Sequence, residues 1–185
     1  VKQSEVSFQI DFTPNKKSVG YGVERLYATN PFSRIYANVT QGFKGLLNSD
    51  FDYTKLQLYY KQPMSVAGLG KSNFTLELGK TFGQVPLGLL SVVPGNQSYF
   101  SIENTFSNLN YYEFVTDQYA TFNWEHNFQG KIFSRVPKLR KLNLREIIGI
   151  RAAYGTISDE NIKINASDIQ YLAPTKPYWE YGFGI

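Results

Sequence analysis

His126 is the only histidine in the chain, and Glu125 stands beside it. A histidine held by a carboxylate, or set against a serine or aspartate, is the general-base arrangement of hydrolases. Neighbouring side chains on an extended strand point to opposite faces, however, so Glu125 and His126 cannot form a dyad with each other. A polar ring that borders an apolar face, or one paired to a loop, is the simpler role for His126. One histidine also rules out a multi-histidine metal site, and the carboxylates lack the spacing of a calcium loop. Glu103, Glu113 and Asp117 could meet across a polar interior, where such groups more often belong to a hydrogen-bonded network. "GYG" (20 to 22), "GLG" (68 to 70) and "GFG" (182 to 184) read as turns or as room for neighbouring rings. No nucleophile elbow, phosphate loop or dinucleotide fingerprint is present. The expectation is therefore a non-enzyme with no catalytic residue, no metal and no cofactor.

Composition narrows the class. The 185 residues hold 14 Tyr and 14 Phe, yet only 18% are charged and mean hydropathy is −0.32. Cysteine is absent, which removes disulfides and thiolate sites. No apolar run approaches the ~20 residues of a membrane-spanning helix. No basic segment followed by an apolar one opens the chain, and a start at Val1 suggests a mature or excised piece. The formal charge is +4, scattered except in "RVPKLRKLNLR" (135 to 145). That stretch reads as a solvated loop or a contact for anionic lipid headgroups. No nucleic-acid motif flanks it, and no nucleic-acid partner is expected.

The elements that must carry these residues are strands, because the recurring period is two. "VSFQIDF" (6 to 12) sets Val6, Phe8, Ile10 and Phe12 against Ser7, Gln9 and Asp11; "RIYANVTQGF" (34 to 43) sets Ile35, Ala37 and Val39 against Arg34, Asn38 and Thr40. "YTKLQLYY" (53 to 60), "NFTLELGKTF" (73 to 82), "YATFNWEHNF" (119 to 128), "LREIIGIRAAY" (144 to 154) and "YWEYGFGI" (178 to 185) follow the same rule. An eighth strand is possible at "QSYFSIENTF" (97 to 106), and a helical turn or two is expected around Leu87 to Val93.

Several of these segments match the ~9 to 11 residues of a tilted membrane strand better than the ~5 to 6 of a soluble sandwich. The fold expected is all-β: an antiparallel transmembrane β-barrel segment of about seven or eight strands, one region over 1 to 185, incomplete and part of a larger barrel. Its polar set, Asp11, Asn38, Glu77, Asn123, Glu125 and Arg151, would face the lumen. Tyr112, Trp124, Tyr154 and Trp179 would lie at the membrane interfaces. Glu146 strains this picture, since it shares parity with Leu144, Ile148 and Ile150, and only a place near the interface would make a lipid-side carboxylate tolerable. Ile147 and Ala153 would face inward.

"GKTFGQVPLGLLSVVPGNQSY", "NYYEFVTDQYATFNWEHNFQGKIFSRVPKLRKLNLREIIGIRAAYG" and "PYWEYGFGI" resemble the carboxy-terminal half of a large uncharacterised family of bacteroidete outer-membrane proteins. "GFKGLLNSDFDYTKLQL" also looks familial. In that family an amino-terminal carboxypeptidase-regulatory-like β-sandwich precedes a barrel similar to surface-antigen and BamA-like proteins. The resemblance implies a Gram-negative outer-membrane location, contact with outer-membrane lipid, other outer-membrane or periplasmic proteins as partners, and strands beyond this chain. A scaffold or assembly factor is the first expectation. A porin-like transport channel for a small solute is the second. A soluble lipocalin-like barrel, with Phe122 and Trp124 around an apolar ligand, is the third.

Overall fold

The computed structural model describes residues 2–24, 26–27, 31–100, 102–165 and 172–185. Seven strands form one antiparallel sheet: β1 (Glu5–Phe12), β2 (Arg34–Gly42), β3 (Tyr53–Val66), β4 (Gly70–Phe82), β5 (Gln118–Asn127), β6 (Ile147–Thr156) and β7 (Tyr178–Gly184). They pair in chain order, each beside the one before it, as a meander. All seven expected strands are present, and β3 and β4 are the longest at 14 and 13 residues. Among the described residues no pairing joins β1 to β7, so the sheet is open and no closed barrel is formed.

Register partners lie on the same face of an antiparallel sheet, so the pairing assigns every side chain to a side. Phe12, Ile35, Tyr60, Leu76, Phe122, Ala152 and Trp179 form one row across all seven strands. Ile10, Ala37, Leu58, Leu78, Ala120 and Tyr154 form the next. Between its ends this face is apolar and, among the described residues, uncovered, with Phe8 67% and Phe183 68% exposed; Ser72 and His126 lie buried at the end beside the 67 to 69 turn. Lys80, Gln118 and Thr156, with Gln41 and Thr54, give it a polar border at one end.

The opposite face is polar, and the packed interior of the protein lies on that side. The connection between β4 and β5 (83 to 117) folds across it as an insert built from turns, a 3-10 turn at Leu87–Leu89 and a two-stranded ribbon of Ser91–Val92 with Val115–Thr116. Val85, Leu90 and Val115 bury themselves with Tyr53 of β3; Val93, Phe106 and Leu109 do so with Ala153 of β6. The apolar Ala153 on a polar parity is thereby explained: it is the floor under Phe106. The turn around Leu87 agrees with expectation. Residues 97 to 106 form no strand among those described: Phe106 makes one isolated bridge to Gly95, while Tyr99 and Phe100 are exposed, and Ser101 lies outside the described residues.

Two short helices complete the chain, α1 (Pro137–Arg140) and α2 (Asp159–Ile164). Because no eighth strand intervenes, the insert, the 43 to 52 turn and the 157 to 177 connection share one end of the sheet. The 13 to 33 connection, the 67 to 69 turn and the basic 128 to 146 loop share the other.

Candidate functional site

The insert is held on the polar face by buried carboxylates. Glu180 of β7, 6% exposed, accepts the backbone N–H groups of Ser107 and Asn108 at 2.9 Å each and the Tyr178 hydroxyl at 2.9 Å. Arg151 of β6 stands 4.0 Å from the same carboxylate and donates to Ser107 Oγ at 3.1 Å. A buried anion with this many donors is satisfied, so the cost of desolvating it is offset by charge-assisted hydrogen bonds. At the insert's base Asp117 accepts the Ser158 N–H at 2.8 Å and the Asn161 amide at 3.1 Å, while Asn161 Oδ1 accepts the Val85 N–H at 2.9 Å. Two connections, the insert and the one after β6, are tied by that one carboxylate and one amide.

Between insert and sheet lies a cavity of about 460 Å³ lined by Lys61, Asn123, Glu125 and Arg151 from the strands and Glu103 and Asn104 from the insert. Lys61 and Glu103 form an ion pair that spans from sheet to insert. Asn123 Oδ1 is buried here without a hydrogen-bond partner. Two cations, two carboxylates and amides can hold a small polar solute or water; they do not place a nucleophile against a base. Among the described residues no group of three metal-ligating side chains occurs.

The chain belongs to a family of unknown function, DUF5686, as its C-terminal domain, matched over residues 2–185. No curated protein and no solved structure matches it.

In this DUF5686 C-terminal domain the six polar residues singled out from the sequence all lie on the polar face, but the structure brings only three of them together. Asn123, Glu125 and Arg151 share the cavity. Asp11 pairs with Arg34 at 2.7 Å, Asn38 donates to Thr40 and Gln57, and Glu77 accepts the Tyr119 hydroxyl at 2.7 Å. Of the aromatic set, Trp124, Tyr154 and Trp179 lie on the apolar face. Tyr112 does not; it sits in the insert with a left-handed φ of 60°, off every strand.

His126 accepts the Ser72 hydroxyl at 2.7 Å through Nδ1 and donates through Nε2 to the Leu69 carbonyl at 3.3 Å. Ser72 is 2% exposed and among the described residues no carboxylate orients the ring, so the pair clips the 67 to 69 turn onto β5. Glu146 is also buried. It is 2% exposed beneath the 128 to 146 loop, where it accepts the Phe133 N–H. Glu180, Asn161 and Ser72 were not singled out from the sequence, because each gains its role from partners far along the chain; Asp117 was, but its partners are Ser158 and Asn161.

Proposed function

We propose that this domain is a barrel region of an outer-membrane protein whose role is to scaffold or assist outer-membrane assembly. One observation carries the membrane part: an apolar face that runs across all seven strands and, among the described residues, has nothing packed on it away from the end covered by the 128 to 146 loop. Exposed apolar patches beyond a few hundred Å² mark a membrane or partner surface. The packed clusters lie on the other, polar face, the reverse of what a lipocalin-like reading requires. Additional strands pairing with β1 and β7 would remove the open edges, which lipid does not tolerate.

The insert favours a scaffold over an open porin. It crosses the polar face as far as Lys61, Arg151 and Glu180, where a solute path would run. The resemblance to surface-antigen barrels supports assembly as the task. Depletion of the full-length protein, followed by quantitative proteomics of isolated outer membranes, tests it: a changed content of other barrel proteins is expected, and an unchanged content speaks against the assembly role.

A further inference from the structure

We infer that the basic loop between β5 and β6, together with the apolar groove beside it, binds an anionic membrane phospholipid. The inference rests on the reading of the apolar face as lipid-facing. Loop placement comes first. The Phe128 N–H donates to the Glu146 carbonyl at 2.9 Å, extending the β5–β6 ladder one step past Asn127 and Ile147. Glu146 therefore has the parity of Ile148 and Ile150 and leaves the sheet on the apolar side. The turn at Phe133 covers it there and supplies its N–H. Hence the loop folds over the end of the apolar face, not over the polar one.

Charge and shape then specify the occupant. Lys131, Arg135, Lys138, Arg140, Lys141 and Arg145 fall within this loop, and its only carboxylate is the buried Glu146. Among the described residues none of the six forms a salt bridge. Exposed Ile132, Val136 and Leu142 are interleaved with them, the composition of a segment that settles among headgroups. A cavity of about 510 Å³ in the loop is lined by Ser134, Arg140, Asn143 and Arg145, donors suited to a phosphodiester. On the apolar face a groove of about 600 Å³ is lined by Phe74, Phe122, Trp124, Phe128, Ile148 and Ile150, and its Phe128 immediately precedes Gln129 in the wall of the loop cavity. A phosphate in the first and an acyl chain along the second belong to a single lipid.

Spin-labelled phosphatidylglycerol and phosphatidylcholine, each in trace amount in phosphatidylcholine vesicles carrying the full-length protein, give the test at constant ionic strength. The motionally restricted fraction is expected to favour phosphatidylglycerol. Each basic side chain near an anionic headgroup contributes roughly fivefold, so Arg140→Gln/Lys141→Gln/Arg145→Gln should lower the selectivity by about fivefold or more. The equal-charge control Lys17→Gln/Lys44→Gln/Lys176→Gln should keep it. Selectivity unchanged in the loop variant, or lost equally in the control, overturns the site. Its abolition by excess inorganic phosphate replaces the lipid with a free anion and also overturns it. No restricted fraction for either lipid removes the membrane reading itself, and this inference with it.

Discussion

Two tyrosines on the polar face lie over glycines, and the spacing leaves no room for any other residue. A Cβ built on Gly79 would stand 2.1 Å from a ring carbon of Tyr119, its register partner, and one on Gly42 would stand 2.4 Å from the ring of Tyr53. Rings laid over cross-strand glycines restore the packing that glycine lacks and pin the register. Gly79→Ala is therefore expected to cost about 1–3 kcal/mol, read as a lower midpoint in a urea titration followed by gel mobility of the folded form. A midpoint equal to the parent would mean that the ring moves aside freely. Glu180 offers a second test at this scale. Glu180→Gln keeps the shape but loses the charge that gathers Ser107 N–H, Asn108 N–H and Arg151, so about 1–3 kcal/mol of insert anchoring should go. Faster hydrogen exchange confined to residues 95 to 110 is the expected readout; unchanged protection there would deny Glu180 its anchoring role.

The insert is the element on which the scaffold reading depends. Replacing residues 95 to 109 with a short Gly-Ser linker removes Glu103, Phe106 and Leu109 from the polar face while leaving the seven strands intact. Single-channel recording on the full-length protein should then show larger or more frequent conductance than the parent. Equal conductance would mean the insert does not block a path. The strands were legible in the sequence because their stabilising pattern is local: alternation such as Phe122, Trp124 against Asn123, Glu125 needs only a period of two. For the same reason the facing of Asn123, Glu125 and Arg151 could be read from parity. The insert could not, because its partners are remote: Ser107 meets Glu180, Val85 meets Asn161, and Phe106 meets Ala153. Its stretch from 97 to 106 alternates like a strand, yet Phe106 is drawn into a cluster beneath the insert and Glu103 pairs with Lys61, and among the described residues none of it joins a strand ladder. Tyr112, expected at an interface, likewise belongs to the insert and lies off every strand.

Across the whole molecule the apolar face should respond to the same substitution according to depth. Arg placed at Leu58 or Ala120, in the middle of the apolar face, is expected to destabilise by about 2–4 kcal/mol in a bilayer. Arg at Thr54, within the polar border, should cost roughly 0–1 kcal/mol, and a urea titration in liposomes that finds the positions equal would argue against any depth profile. The absence of native cysteine in this chain makes a finer scan direct. Single cysteines at positions 119 to 125 of the full-length protein in bilayers, spin-labelled and probed by collision with oxygen and with a water-soluble nickel chelate, report which face meets lipid. Oxygen should dominate at 120, 122 and 124, with low oxygen contact at 119, 121, 123 and 125. Nickel access at 122 and 124 equal to that of a soluble protein would mean that the apolar face of the sheet does not meet a membrane.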